Sequence, residues 1–406
     1  MKKLLFKILG LVVLVSFFQS CKKSLVEDPV LEELELKSAN TSKKSYIVVL
    51  NDVELNDELS KLKGYEKKQN AVQSAGSKIL KRAGVLDAEI EHVYGTAVKG
   101  FSVKIPPGQL KKLQGDPSVS YVEEDKVISL VLPKAKPDKP GKPGGGNDGG
   151  GSTPQETPWG ITRVNGGISV TGKTAWIIDS GIDQDHPDLN VDTGRSASFL
   201  TGKESNNPDD QNGHGTHVAG TVAAIDNDFG VVGVAAGAKV VSVRVLDRRG
   251  SGTTSGVVDG VDYVAANASS GDVANMSLGG GISSTLDAAV LAASSSCSFV
   301  LAAGNESEDA DNHSPARVNG PNIYTVSAMW EGDRFATEFS NFGPAVDYAA
   351  PGVYILSTYK NGGYDELHGT SMASPHVAGI LLLGSVKTSG YVTSDPDGNA
   401  DPIASH

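Results

Sequence analysis

Residues 133–158 contain little besides Pro, Gly, Lys, Asp and Ser, and include the run Pro143-Gly144-Gly145-Gly146. Such a composition cannot bury enough apolar surface to offset the entropy lost on ordering, so the stretch reads as a linker. Any core must therefore form on one side of it or the other. A chain of 406 residues leaves room for two or three domains. A solvated connector next to a folded unit is also a candidate site of proteolytic cleavage, with a passive spacer as the alternative.

Charge divides unevenly across that linker. From Trp159 onward there are 12 Lys and Arg against 28 Asp and Glu, in a chain of net charge −12, so the earlier part carries a small positive excess. An acidic body argues against a nucleic-acid partner and fits a soluble extracytoplasmic enzyme.

The first residues read as a targeting segment. Lys2, Lys3 and Lys7 give a positive start, and residues 4–18 supply a short apolar run. That run is too short for a comfortable membrane span and has the layout of a secretory signal. It ends at Phe18-Gln19-Ser20-Cys21, with a small residue before the cysteine. This resembles a bacterial lipoprotein signal over residues 1–21. The resemblance implies that Cys21 is lipidated and becomes the mature N-terminus of a cell-envelope protein. A plain signal peptide that releases a secreted protein is the alternative. Residues 22–44 read as a polar tether, and no other segment is apolar and long enough to span a bilayer. The second cysteine, Cys297, precedes an apolar run and reads as a small buried hydrophobe, so no disulfide framework is expected.

Residues 45–132 form a small unit. Tyr46-Ile47-Val48-Val49-Leu50 is a strand candidate followed by the turn formers Asn51 and Asp52. The Lys-, Glu-, Gln- and Ala-rich residues 56–82 read as one helix. Residues 90–94 and 100–105 suggest a hairpin, residues 107–114 a short helix opened by Pro107, and residues 119–122 a last strand. The order β-α-β-β-α-β is the ferredoxin-like arrangement, a small α+β domain.

After Trp159, apolar strand-like runs alternate with helix-like runs, the pattern of a parallel α/β sheet. Four places stand out. Thr174-Ala175-Trp176-Ile177-Ile178-Asp179 puts Asp179 at the carboxyl end of a strand, where open α/β sheets carry their sites. In Asn212-Gly213-His214-Gly215-Thr216-His217-Val218-Ala219-Gly220, glycines allow close backbone approach around His214 and an apolar helix begins. His217 reads as structural, because a zinc-type His-Glu-x-x-His motif needs a Glu that is missing here. Phe299-Val300-Leu301-Ala302-Ala303-Gly304-Asn305 ends a buried strand in an amide, either a turn residue or a donor for an oxyanion. Gly369-Thr370-Ser371-Met372-Ala373-Ser374-Pro375-His376 leads into an apolar helix, with Ser371 at its N-terminus as either an N-cap or a nucleophile.

Together these stretches resemble the subtilisin-like serine proteases, the subtilases, in the chain order Asp, His, Ser. The resemblance implies a mostly parallel sheet with helices on both faces over residues 159–390, followed by an acidic C-terminal tail over residues 391–406. It also covers the small unit, through Ser45-Tyr46-Ile47-Val48-Val49-Leu50, Val98-Lys99-Gly100-Phe101-Ser102-Val103 and Val119-Ser120-Tyr121-Val122-Glu123-Glu124-Asp125. These are similar to the inhibitory propeptide of that family, whose extended tail lies in the substrate cleft.

By this resemblance Ser371 is the nucleophile, His214 its general base and Asp179 the residue that orients His214. Asn305 supplies an oxyanion donor. The substrate cleft is expected at Ser277-Leu278-Gly279, at Ala302-Ala303-Gly304 and along the strand that contains Gly252. Small residues on these walls predict a roomy, neutral first pocket and broad specificity for apolar or uncharged side chains. No cofactor is expected in the chemistry. The resemblance implies a structural calcium, for which Asp395-Pro396-Asp397-Gly398-Asn399-Ala400-Asp401 is the nearest pattern, although a solvated acidic tail reads better there. Expected partners are polypeptide substrates and the chain's own propeptide, with a membrane reached only through lipid. A monomer is expected. The alternatives are a propeptide-blocked scaffold of the same fold and a processing protease of narrow specificity.

Overall fold

The computed structural model describes residues 42–130, 133 and 154–406. The signal segment with Cys21, the tether and most of the linker lie outside the described residues. No described helix is long and apolar enough to cross a membrane.

The small domain is a four-stranded antiparallel sheet in the order Glu89–Tyr94, Gly100–Ile105, Lys44–Leu50, Val119–Glu124. The unbroken apolar run at residues 46–50 follows from burial on both faces. Tyr46, Val48 and Leu50 join Leu55, Val72, Ile79 and Phe101 in the domain's own core. Ile47 points the other way, into a cluster shared with the larger domain. The helix expected over residues 56–82 is two helices, Val53–Lys61 and Tyr65–Arg82. Asp52 starts the first by accepting from the Leu55 N–H at 3.0 Å. Gly64, with φ at 92°, makes the break between them.

The larger domain is built on one sheet with the order Asn190–Val191, Lys239–Arg244, Thr174–Asp179, Val273–Met276, Ser298–Ala302, Ile323–Met329, Tyr348–Pro351, Pro402–Ser405, Lys387–Tyr391. Every pairing in it is parallel except the last. Helices His214–Ala223 and Thr370–Leu383 cover one face, and helices Thr254–Asn267 and Ser284–Ala293 the other. Both faces being covered explains why Trp176, Ile177 and Ile178 are all buried.

The C-terminus corrects the expected acidic tail. Pro402–Ser405 is a strand of the main sheet, with Ile403 and Ala404 buried, so the folded body runs past residue 390 to the last residues. Asp401 is buried beside it and accepts from the Ser327 hydroxyl at 2.5 Å, and burial pushes its carboxyl up to about 7. Four residues are too few to show a periodicity, and the acidic residues just upstream mask the strand in the sequence. Cys297 is buried as expected, and burial pushes its thiol up to about 12.

Candidate active site

The sheet brings predicted residues from distant parts of the chain into two groups, Asp179 with His214 and Ser371 beside Asn305. Asp179 ends the strand Thr174–Asp179 and is fully buried. His214 opens the helix His214–Ala223, and its Nδ1 lies 2.8 Å from Asp179 Oδ1, which also accepts from the Ser180 N–H at 2.7 Å. A side chain at Gly215 would run into the Gly181 carbonyl and the Asp179 side chain, so glycine is what lets the helix start against the strand end. His214 Nε2 is buried and makes no hydrogen bond within the protein. That nitrogen is therefore available to a proton donor.

Ser371 is the second residue of helix Thr370–Leu383, and its Oγ donates to the Ser277 carbonyl at 3.2 Å. Pro375 lies inside this helix and has no N–H for the carbonyl four residues earlier, which belongs to Ser371. The Ser277 hydroxyl takes up that carbonyl at 2.8 Å. The proline thus frees a carbonyl that clamps the helix start to the loop after strand Val273–Met276. Asn305 is held on the opposite side: its Oδ1 accepts from the Thr370 N–H at 2.9 Å and from the Thr370 hydroxyl at 3.1 Å. These bonds decide which end of the carboxamide is oxygen and which is nitrogen.

His217 does not join this group. Its Nε2 donates to the carbonyls of Ile355 at 2.9 Å and Asp365 at 3.2 Å, and burial lowers it to about 3. His376 is similar, with Nδ1 donating to the Met372 carbonyl at 2.8 Å and burial lowering it to about 4. A histidine buried in its neutral form contributes stability above the unfolded value of about 6.5 and loses it as the pH falls toward the folded value. His376→Gln removes that titration. Its stability deficit against the wild type is expected to shrink by about 1.6 kcal/mol between pH 6.5 and 5. Urea midpoints at the two pH values check this, and a deficit constant within error refutes it.

Leu278, Gly279, Ala302, Ala303 and Gly304 line a pocket beside Ser371 and Asn305, whereas the Ser277 hydroxyl bonds the Ser371 carbonyl of the serine helix. The pocket is not neutral: Glu306 and His313 also line it. Glu306 directly follows Asn305 and was legible in principle. His313 arrives only because His313–Ser314 pairs with Gly280–Gly281, which no local pattern reveals.

The cleft is filled by the chain itself. Val127–Ser129 pairs antiparallel with Ser251–Thr253, opposite Gly252, while the Ser129 N–H reaches the Gly279 carbonyl at 3.3 Å and the Leu130 N–H the Gly250 carbonyl at 2.9 Å. The tail is thus an added strand between both walls. Two carboxylates dock the small domain at helix N-termini, where orphan N–H groups favour negative charge. Asp125 accepts from the Ser255 N–H at 2.9 Å, and Glu123 from the Thr285 N–H at 3.0 Å. Asp262 of the larger domain accepts in return from the N–H groups of Gly95, Thr96 and Ala97 at 3.0, 2.8 and 2.6 Å.

Comparison with known proteins agrees with this geometry. Residues 172–387 match the model of the subtilase family, and residues 45–131 match that of the peptidase inhibitor I9 family. Alkaline serine exoprotease A of Vibrio alginolyticus is 41% identical over 314 residues, covering 74% of this chain and 54% of that protein. This chain thus spans about half the length of that relative. M-protease of Shouchella clausii (strain KSM-K16) is 37% identical over 320 residues, covering 77% and 76% of the two chains. Among solved structures, a cold adapted subtilisin-like serine proteinase is 42% identical with a TM-score of 0.53, covering 60% of this chain and 96% of that one.

Proposed function

The chain belongs to the subtilase family, and we propose that it is a self-processing precursor whose mature part cleaves polypeptides through an acyl-enzyme on Ser371. In this reading Ser371 attacks the scissile carbonyl while His214 takes its proton at Nε2 and later delivers it to the leaving amine. Asp179 holds the imidazole by Nδ1 and stabilises its charged form. Asn305 and the Ser371 N–H at the helix start receive the oxyanion. One observation carries the proposal: the Asp179–His214 pair at 2.8 Å, with a buried and unbonded Nε2, beside a cleft already occupied by a strand of the chain.

No cofactor enters the chemistry. Among the described residues no group of three or more His, Cys, Asp or Glu side chains is placed to hold a metal ion, and in the Asp395–Asp401 loop Asp397 accepts from the Asn399 N–H at 2.7 Å and Asp395 from the Asp401 N–H at 3.2 Å. The signal-like start supports a lipid on Cys21 as the one membrane contact of an otherwise soluble, extracytoplasmic monomer.

Residues 154–156 are already docked on the body, with the Glu156 N–H donating to the Gly230 carbonyl at 2.8 Å. Processing is therefore expected within residues 131–153. Intact-mass measurement during incubation of the purified precursor checks this, and the same spectra of chain made in bacteria read fatty-acid mass on Cys21. A folded chain that neither splits nor hydrolyses peptide anilides favours the propeptide-blocked scaffold. Unmodified Cys21 leaves a released, secreted protein.

A further inference from the structure

Behind the Asp179–His214 pair lies a buried carboxylate that the catalytic reading does not use. Asp210 is 5% exposed, and five hydrogen-bond donors converge on it. Its Oδ1 accepts from the Ser180 hydroxyl at 3.0 Å, the Asn212 N–H at 2.9 Å and the Gly213 N–H at 2.8 Å. Its Oδ2 accepts from the Thr216 N–H at 2.9 Å and the Thr216 hydroxyl at 2.6 Å. The donors belong to both sides of the pair. Ser180 follows Asp179 at the strand end, and its hydroxyl also accepts from the Gly215 N–H at 3.0 Å. Gly213 and Thr216 bracket His214 at the helix start, where orphan N–H groups favour an anion. The Thr216 hydroxyl accepts in turn from the Asp183 N–H at 3.0 Å. Asp210 itself lines neither the pocket beside Ser371 nor the backbone that pairs with the tail strand.

We propose that Asp210 is a positioning residue for the reaction: its carboxylate clamps the strand end that carries Asp179 to the helix start that carries His214, and so sets the 2.8 Å contact between them. The inference rests on the endopeptidase reading and adds a residue that touches neither substrate nor reacting atoms. Only a carboxylate suits the place, because all five groups donate and an ionised side chain accepts at both oxygens. Asparagine has the same shape but one acceptor. With its oxygen toward Thr216, the NH₂ meets the N–H groups of Asn212 and Gly213; turned over, it meets the Thr216 N–H. Either way a buried backbone donor loses its partner and the first turn of the helix is pushed away. Displacement of His214 is costly, since a misplacement of about 1 Å slows a reaction on the order of 100-fold.

The test uses the full precursor, in which the docked tail already fills the cleft and substrate affinity does not enter. Asp210→Asn should slow self-splitting, read by intact mass, about 100-fold. Ser180→Ala removes one link on the Asp179 side and should slow it about tenfold. This second variant carries the test alone if Asp210→Asn fails to fold. A purely structural role would lower the thermal melt and leave the pair intact. A further readout therefore follows the pair itself: the far-downfield proton resonance of an imidazole Nδ1–H bonded to a carboxylate, recorded in chains that also carry Ser371→Ala and stay whole. The resonance should be present with Asp210 and Ser180 in place and be lost or moved upfield in each variant. Folded variants that split within about twofold of the wild-type rate overturn the proposal. So does a resonance that the substitutions leave unchanged, or one absent before them. A wild type that never splits sinks the self-processing reading alone, and the resonance then decides for or against Asp210.

Discussion

Ser371→Ala is expected to remain a single uncleaved precursor and to lose peptide hydrolysis by about a millionfold, the scale known for removal of the serine from a subtilisin triad. The fold should survive, because the lost Oγ makes one long hydrogen bond, 3.2 Å to the Ser277 carbonyl. The clamp that holds the helix start uses the Ser371 backbone carbonyl and the Ser277 hydroxyl, which the substitution leaves alone. Docking of the tail strand also depends on backbone groups of residues 127–130 and not on the hydroxyl. The variant should therefore be folded, inhibitor-bound and whole while the wild type splits. Mass spectrometry with a thermal melt reads both properties. Wild-type-like splitting of a folded Ser371→Ala chain would remove Ser371 from the nucleophile's role.

Asp179→Asn is expected to lower kcat by about 10⁴-fold with KM little changed, again on the scale of serine-protease triads. Asp179 Oδ1 accepts both the Ser180 N–H and the His214 Nδ1–H, so an amide oxygen there can keep the geometry. The second oxygen makes no hydrogen bond within the protein, and the NH₂ that replaces it would be a buried donor without an acceptor. If the amide turns over to avoid this, its N–H faces Nδ1 and forces the wrong tautomer on His214. In either orientation the negative charge that stabilises the imidazolium is gone. Steady-state kinetics on a peptide anilide check the loss. A drop smaller than tenfold would mean that His214 is oriented by something other than Asp179.

Much of this site was legible in the chain because each part carries a local physical demand. Asp179 ends an apolar run, Gly213 and Gly215 flank His214, and small residues surround Ser371 at a helix start. Such motifs survive as strings because the backbone must approach closely there, as the collision expected of any side chain at Gly215 illustrates. The helix break at Gly64 was missed, since a polar Lys- and Gln-rich pattern continues across it with little change. The C-terminal strand was missed because burial there comes from the neighbouring strand Tyr348–Pro351 and not from any pattern of its own.

By itself the sequence determined the matches to a protease unit and an inhibitory unit and the order of the proposed triad residues Asp179, His214 and Ser371, because these reside in composition and in short contiguous motifs. Only the tertiary structure decided which groups share a pocket. His313 reaches Glu306 and Glu308 through a two-residue strand pairing, and the tail at Val127–Ser129 reaches Ser251–Thr253 across more than a hundred residues of chain. Contacts of that kind depend on how strands align in space, and that alignment leaves no local mark on the residues that meet.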